Sequence, residues 1–288
     1  MAMPTDIGVI DCMLGIPEAE DRSEWFESFK PLLKDEESRK QFSMPAQYMF
    51  KDVPQTGKAD DYVSWTVDQM DRFNIEKALV GWNENETSRR ALAKFPDRFA
   101  FELPCDPNNG VDEVKRIKRI HSEVDLKAIS VFPAGTNPQV AINHKYMFPL
   151  YTAAAELDIP ICINAGIPGP RIPMETQKVE HLDEVCWFFP DLKIVMRHGA
   201  EPWEALAVKL MLKWPNLYYS TSAFAPKHYP KAIIDYANTR GSDKIIYAGY
   251  FPMGLSLDRI FGDMPNVPFK DEVWPKFLRE NAIKVFGL

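Results

Sequence analysis

Three side chains that can move protons or donate hydrogen bonds follow short apolar runs of the sequence, where predicted strands end. Asp11 ends the first run, and His198 and Tyr250 follow later ones. An unperturbed imidazole titrates near a pH of about 6.5, so His198 is a candidate general acid or base. The phenol of Tyr250 could donate a hydrogen bond to a developing oxyanion. We expect these three residues to carry catalysis.

Each of the three also has a structural interpretation. His198 could be a hydrogen-bonded residue of a cavity wall, and Tyr250 could simply fill space. A buried carboxylate is costly unless it is paired, which favours Asp11 bonded to a neighbouring donor such as Arg197 or the His198 ring. The sequence leaves these alternatives open.

Two charged side chains on loops are candidates for substrate binding. Arg171, in the loop 166–174, could hold a substrate carboxylate through two parallel N–H bonds, although loop arginines are commonly just solvated. Glu201 lies three residues after His198. It could contact the substrate or act as a base, and its structural alternative is to stabilise the amino end of the next helix.

The four cysteines are Cys12, Cys105, Cys162 and Cys186. They show no C-x-x-C spacing, which argues against a disulfide framework and an all-cysteine zinc site. Cys12 and Cys105 end predicted strands, so a nucleophilic pair with His198 is one hypothesis. Buried, unreactive thiols are the favoured interpretation.

Composition restricts the class of protein. Hydrophobic residues make up 45% and charged residues 26% of the 288 residues, and no run approaches the roughly 18 apolar residues of a membrane span. The net charge of −7 and the lack of a basic cluster argue against nucleic-acid binding. The stretch 1–6 has no basic residue ahead of an apolar segment, so we expect neither a signal nor a transit peptide and a cytoplasmic protein.

The elements that must position these residues follow one repeating pattern. From residue 60 onward, short β-branched runs alternate with amphipathic stretches, which is typical of βα units around a parallel sheet. Eight units predict an α/β fold, a single-domain (β/α)8 barrel over 1–288. A doubly wound sheet, the alternative, would place a glycine-rich loop after the first strand, and the sequence has none there. The predicted strands are 7–11, 77–80, 99–103, 128–132, 160–164, 193–197, 217–221 and 244–248, and the predicted helices are 61–73, 86–95, 111–122, 145–157, 178–189, 202–214, 231–238 and 272–285.

A long insertion follows the first strand. Residues 14–59 are rich in charge, proline and aromatic side chains, and so long a loop in a compact domain is commonly functional. Its position after the carboxyl end of a strand places it at the face where barrel enzymes keep their sites, so one interpretation is a lid. The alternative is a subunit-contact arm built on Trp25, Phe26, Phe29 and Tyr48.

Several motifs, in order along the chain, resemble a known family. They are Tyr151-Thr-Ala-Ala-Ala-Glu-Leu-Asp-Ile-Pro-Ile-Cys-Ile-Asn-Ala-Gly166, Phe189-Pro-Asp-Leu-Lys-Ile-Val-Met-Arg-His-Gly-Ala-Glu-Pro-Trp203, Trp214-Pro-Asn-Leu-Tyr-Tyr-Ser-Thr-Ser222, Asp243-Lys-Ile-Ile-Tyr-Ala-Gly-Tyr-Phe-Pro252 and Glu280-Asn-Ala-Ile-Lys-Val-Phe-Gly-Leu288. This set is similar to the amidohydrolase-related branch of the amidohydrolase superfamily, which includes aminocarboxymuconate-semialdehyde decarboxylase, γ-resorcylate decarboxylase and 2-pyrone-4,6-dicarboxylate lactonase.

The resemblance implies a divalent metal, usually zinc, but most of its ligand positions differ here. Met13 and Gly15 stand where the pattern has two histidines, Asn164 stands for a third, and Tyr250 replaces an aspartate. Only His198 remains. Zinc sites use Cys, His and carboxylate ligands, so we expect no metal and no other cofactor. A makeshift site of His198 with Asp11 or Cys12, and a conventional zinc enzyme, remain as alternatives.

Side-chain alternation extends this comparison to other strands. Residues that share the parity of the replaced ligands should point into the barrel mouth. This places Met13, Ser130, Phe132 and Asn164 there as substrate contacts, beside Asp11, His198 and Tyr250.

The sequence therefore predicts an enzyme, a metal-independent hydrolase or carbon–carbon lyase of the decarboxylase type. Its partner is expected to be a small carboxylated or aromatic-derived substrate, and the resemblance implies a homodimer or larger homo-oligomer. The alternative is an inactive barrel that serves as a binding or scaffold subunit. Catalysis predicts an open, partly polar cavity lined by His198, whereas a scaffold predicts that Met13, Phe132 and Tyr250 close it.

Overall fold

A computed structural model describes residues 3–20, 27, 30–40, 44, 46–50 and 52–288. Eight parallel strands form one sheet in the order β1 to β8. The sheet closes on itself, because the Cys12 N–H donates to the Tyr247 carbonyl over 3.2 Å and the Tyr250 N–H donates to Met13 over 3.1 Å. The strands are Val9–Asp11, Ile75–Gly81, Phe99–Pro104, Ala128–Val131, Ile161–Asn164, Ile194–Arg197, Leu217–Ser220 and Ile245–Ile246. The predicted (β/α)8 barrel is confirmed.

Ten α-helices are found among the described residues. All but the first and ninth overlap the helices that the sequence predicts, with α4 ending two residues later and α10 one residue later than predicted. The last helix is shorter than predicted because a turn of π-helix, Lys276–Glu280, precedes it. Helices α1 to α10 are Glu36–Lys40, Tyr62–Asp71, Glu86–Lys94, Val111–Val124, Phe148–Glu156, His181–Phe188, Glu204–Lys213, Lys231–Ala237, Leu257–Asp263 and Asn281–Phe286.

Local chemistry sets several helix ends. Helix α2 begins after Asp61, whose carboxylate accepts the Val63 N–H over 3.1 Å, and α3 begins after Asn85, whose side chain accepts the Ser88 N–H over 2.9 Å. Such caps satisfy backbone donors that have no partner inside the helix. They fix the residue at which each helix begins after its loop at the barrel mouth.

The two faces of the sheet carry different side chains. A layer of small or apolar residues fills the barrel interior, and α10 packs against this layer and closes that end of the barrel. The alternate residues pack against the surrounding helices. The interior layer consists of Ile10, Cys12, Leu79, Ala100, Ala128, Cys162, Val195, Tyr218, Ile246 and Ala248.

This alternation corrects the expected orientation of Asp11. Ile10 and Cys12 belong to the interior layer, so the side chain of Asp11 between them faces the helices. The parity was counted back from Met13, but β1 ends at Asp11 and the chain turns before Met13. Alternation does not carry across a turn, and the prediction that Asp11 points into the mouth is wrong.

No helix among the described residues has the length and apolarity needed to cross a membrane.

Candidate active site

A cavity of about 1520 Å³ lies at the carboxyl ends of the strands. Seven of the predicted site residues line it: Met13, Ser130, Phe132, Asn164, His198, Glu201 and Tyr250. Met13, Phe132 and Tyr250 are all half-buried and form walls without closing the cavity. The mouth of this barrel is therefore open, at the end where barrel enzymes keep their sites.

His198 follows β6 in an unusual backbone conformation, with φ of +63°. The hydroxyl of Ser222, after β7, contacts both the backbone and the ring of His198. The Ser222 Oγ accepts the His198 backbone N–H over 3.1 Å and lies 3.3 Å from Nδ1. Where the Ser222 hydroxyl donates its hydrogen to Nδ1, the ring carries its own proton on Nε2.

The imidazole of His198 does not behave as an unperturbed one. Burial and, next in size, the positive charge of Arg197 lower the pKa of His198 to about 3. The ring is therefore neutral at physiological pH. It can donate or accept a hydrogen bond there, but an imidazolium acid, which the ordinary titration range suggests, is disfavoured.

Tyr250 stands next to His198 on the cavity wall. The two rings meet edge to face, with centroids 5.4 Å apart, and Phe50 of the insertion stacks on the tyrosine at 5.6 Å. Tyr250 has φ of +120°, a costly conformation for a residue with a side chain, and such strain clusters at functional sites. Burial raises the pKa of Tyr250 to about 12, so the phenol keeps its proton.

Sequence reasoning missed an ion pair at the cavity floor. Arg197 on β6 makes two hydrogen bonds to Glu102 on β3, Nη1 to Oε1 over 2.8 Å and Nη2 to Oε2 over 2.6 Å. Nη2 also donates to the Cys12 carbonyl over 3.0 Å. Both side chains border the cavity. The sequence held one sign of this pair: both residues fall at strand positions whose side chains alternate into the barrel interior. Charged residues are rarely buried there without a role.

Asp11 belongs to a different environment. It is fully buried and absent from the cavity lining, and its Oδ1 accepts the backbone N–H groups of Met13 and Gly249 over 2.9 Å and 2.8 Å. Burial raises the pKa of Asp11 to about 6 despite these bonds. The expected hydrogen bond to Arg197 or the His198 ring does not form, because the carboxylate faces the opposite side of the sheet.

Arg171 also lies away from the cavity lining. Its Nη1 pairs with Asp35 over 3.1 Å and with Glu37 over 2.8 Å, both in the insertion, and its guanidinium lies 4.6 Å from the centre of the Tyr48 ring. These partners occupy the group that we expected to bind a substrate carboxylate. The structure thus replaces that assignment with a contact between two loops.

The insertion covers part of the mouth. Met44, Ala46, Met49 and Phe50 line the cavity, and the Tyr48 hydroxyl donates to the Gly169 carbonyl over 2.9 Å. Three residues of the expected contact arm, Trp25, Phe26 and Phe29, lie outside the described residues.

Glu201 reaches the cavity and does not cap a helix. Helix α7 begins at Glu204 without a side-chain cap. The backbone around Glu201 packs closely against the loop after β5: a Cβ on Gly166, which has φ of +96°, would lie 2.6 Å from the Glu201 carbonyl oxygen. Burial raises the pKa of the Glu201 carboxyl, so this group can hold a proton more readily than a solvated glutamate.

The cysteines show no sign of a nucleophile. All four are buried and free, and burial raises the pKa of Cys12 and of Cys105 well above the ordinary value. A thiol that resists deprotonation is a poor nucleophile.

Comparison with known proteins identifies the family. The family model for amidohydrolases matches residues 34–288. The chain belongs to the amidohydrolase family. None of the curated proteins matches this amidohydrolase-family chain.

Solved structures share the fold at low sequence identity. An uncharacterized TIM-barrel protein from Bordetella bronchiseptica is similar with a TM-score of 0.72 and 17% identity, over 98% of this chain and 99% of that one. The 5-carboxyvanillate decarboxylase of Novosphingobium aromaticivorans, complexed with manganese and 4-hydroxy-3-methoxy-5-nitrobenzoic acid, gives 0.71 and 16%, over 99% and 97%. A 2,6-dihydroxybenzoate decarboxylase from Rhizobium gives 0.64 and 15%, over 98% and 99%.

The family implies a divalent metal, and the side chains of this amidohydrolase-family barrel do not fit one. Among the residues that the structure describes, no three His, Cys, Asp or Glu side chains come together as a metal site. Beside His198, the positions where the family has metal ligands hold Asn164, Met13 and Tyr250 on the cavity wall, which are poor ligands for zinc or manganese. The makeshift pairing with Asp11 is excluded by the orientation of that carboxylate.

Proposed function

We propose that this amidohydrolase-family chain is an enzyme that cleaves a small carboxylated, aromatic-derived substrate, by hydrolysis or by carbon–carbon cleavage, without a divalent metal. The observation that carries the proposal is the open cavity at the strand ends, lined by His198 and Tyr250. An inactive scaffold would have no reason to leave this volume empty of side chains. Ligand sites are typically such concave, mostly apolar spaces with a few convergent polar groups.

His198 and Tyr250 would act together on charge that develops in the substrate. A neutral imidazole with its proton on Nε2 and a phenol with a high pKa are both hydrogen-bond donors. Fixed donors aimed at a developing oxyanion are among the most effective catalytic devices. Ser222 and Phe50 hold the two rings in place, so the donors need not reorganise during the reaction.

Glu201 would handle proton transfer. It borders the cavity and its raised pKa brings it closer to the working pH, as a general acid or base requires. Asn164 and Ser130 would orient polar groups of the substrate, and Met13 and Phe132 would contact its ring.

The solved relatives agree with this substrate class. Both decarboxylases named above act on carboxylated aromatic molecules, as their names state. One of them binds manganese, so metal independence is the part of the proposal in which this chain would depart from them. The proposed metal independence rests on the replacement of the family's metal-binding residues in this chain.

We also propose that the insertion 14–59 is a lid. Its support is the contact of Phe50 with Tyr250 and the placement of Met44 and Met49 on the cavity wall. A cover of this kind would exclude water while the substrate reacts.

The assembly and compartment belong to the same proposal. Exposed aromatic side chains on and beside α6, among them Trp187 at 66% and Phe188 at 54% exposure, would be covered in a homodimer or larger homo-oligomer. The net charge of −7 favours small-molecule partners over nucleic acids, and a cytoplasmic location agrees with the free cysteines.

A substrate screen tests the proposal. Chelator-treated protein would be incubated with 2,6-dihydroxybenzoate, 5-carboxyvanillate and carboxylated lactones, and products would be followed by mass spectrometry for loss of carbon dioxide or gain of water. We expect turnover of at least one compound, lost in His198→Ala and retained in His144→Ala, a matched control at an exposed turn. Equal turnover in His198→Ala would remove that residue from catalysis, and no turnover or binding of any compound would contradict the proposal.

A further inference from the structure

The Arg197 side chain crosses the interior of the barrel. It starts on β6, meets Glu102 on β3 and reaches the Cys12 carbonyl at the end of β1. These strands lie on different sides of the ring of eight, so the guanidinium sits across the lumen. Its side chain is only 3% exposed and still borders the cavity, which makes it part of the cavity floor.

The hydrogen bonds of Arg197 do not use all of its donors. A guanidinium has five N–H bonds, and Glu102 and Cys12 accept three of them. The N–H on Nε and the second one on Nη1 have no hydrogen bond to any residue within the described ranges. An unused donor of a buried cation costs free energy unless something else accepts it.

The charge of this group is permanent. Burial alone would lower the pKa of Arg197, but its surroundings, with the hydrogen-bonded carboxylate of Glu102, outweigh burial and hold that pKa above its ordinary value, so the group stays protonated at every working pH. It is also positioned in advance, because Glu102 holds two of its nitrogens. A pre-positioned cation at the mouth of the barrel is what a metal ion would otherwise supply.

Other cations near the cavity are less suited to this task. Arg116 borders it but is engaged by Glu84 and Glu113, each over 2.7 Å. Lys227 borders it from the exposed rim, where water weakens an ion pair. Arg259 also borders the cavity and is only half-buried, so Arg197 is the buried one of these four.

We propose that Arg197 is the anchor for an anionic group of the ligand, a carboxylate or the oxyanion that forms from it, bound from the cavity through its unused N–H donors. Glu102 is then a positioning residue, which orients the guanidinium and tempers its charge. The inference rests on the proposed function only in that it requires a carboxylated ligand. It concerns binding, so it can fail while turnover succeeds, and the reverse.

The test compares two probes that differ in charge. Binding of 2,6-dihydroxybenzoate and of 2,6-dihydroxybenzamide would be measured by calorimetry at pH 7.5. We expect wild type to bind the carboxylate at least about tenfold more tightly, a difference of about 1.4 kcal/mol. In Arg197→Met the preference should disappear, and in Lys227→Met, the matched loss of a rim cation, it should persist. Wild-type binding of the carboxylate no tighter than the amide would overturn the proposal.

A second variant covers the case in which Arg197→Met does not fold. Glu102→Gln keeps the shape and one acceptor for Arg197 but removes the competing negative charge. We expect the carboxylate to bind several-fold more tightly to this variant, with the amide unchanged. A purely structural ion pair would alter both probes equally, and that result would also overturn the proposal.

Discussion

Asp11 and Glu102 are both buried carboxylates in strands of the same barrel, yet they face opposite sides of the sheet. Asp11 faces the helices, where two backbone N–H groups hold it and burial raises its pKa to about 6. Glu102 faces the lumen, pairs with Arg197 and borders the cavity. The face of the sheet, and not the mere position near a strand end, separates a structural acid from one that belongs to the site.

The largest effect is expected from breaking the lumen pair. Glu102→Ala leaves the charge of Arg197 buried without a partner, which costs about 3–5 kcal/mol of unfolding free energy. Urea denaturation would measure the loss. In the double variant with Arg197→Met no unpaired charge remains, so we expect it to recover much of that loss. A double variant that is as unstable as the sum of both single changes would contradict the interpretation of the pair.

Removal of the Asp11 carboxyl should raise the free energy of unfolding, whereas removal of Glu102 lowers it. The reason is that burial disfavours the charged form of Asp11. Its pKa rises from 3.8 to about 6 on folding, so the folded state binds more protons between these values and stability falls as pH rises through them. At about 1.36 kcal/mol per pKa unit, the cost above pH 6 is about 3 kcal/mol.

Replacing the carboxyl by an amide removes this cost. We expect the stability advantage of Asp11→Asn over wild type to grow by about 2.5 kcal/mol between pH 4 and pH 8, measured by denaturation at both values. Substrate turnover should stay at the wild-type level, since the residue does not face the cavity. A stability difference that is the same at both pH values would show that the carboxyl is not perturbed.

The next effect concerns the chemistry on the lumen side. Tyr250→Phe keeps the ring contacts with His198 and Phe50 but removes the hydroxyl donor. We expect kcat to fall roughly 100-fold with KM within about twofold, the loss typical of an oxyanion donor. Tyr146→Phe, at an exposed position, is the control for steady-state kinetics. An unchanged kcat would reduce Tyr250 to a space-filling residue.

The smallest effect is expected where the insertion meets the loop after β5. Arg171→Met removes the pairs with Asp35 and Glu37, and such exposed pairs contribute at most about 1 kcal/mol. If the insertion is a lid, KM should rise by roughly two- to fivefold with a smaller change in kcat, since lid contacts commonly act on binding. Lys193→Met, which removes another exposed pair with Asp158, should leave KM unchanged. Equal KM in both variants would argue against the lid.

The sequence predicted the barrel well because its signals are local. Alternating apolar runs mark each strand, and within a strand the alternation also placed Ser130 and Asn164 correctly. It failed where the chain leaves the strand. Met13, His198 and Tyr250 lie beyond strand ends, the last two at positive φ, and parity counted back from Met13 turned Asp11 to the wrong face.

The ion pair and the position of Arg171 were beyond local signals. Glu102 and Arg197 are 95 residues apart, and nothing in either segment indicates that the other is its partner. Arg171 finds Asp35 and Glu37 more than a hundred residues away. Helix α9, 7 residues long, was also missed.

The central claim is that the mouth of this barrel works with its own side chains in place of a divalent ion. The direct test is the rate of substrate turnover by protein purified without added metal, before and after exhaustive chelation, with metal content measured by mass spectrometry on the same sample. We predict far less than one equivalent of any divalent metal and an unchanged rate, also after manganese or zinc is added back. One tightly held equivalent, or activity that chelation abolishes and manganese restores, would contradict the account.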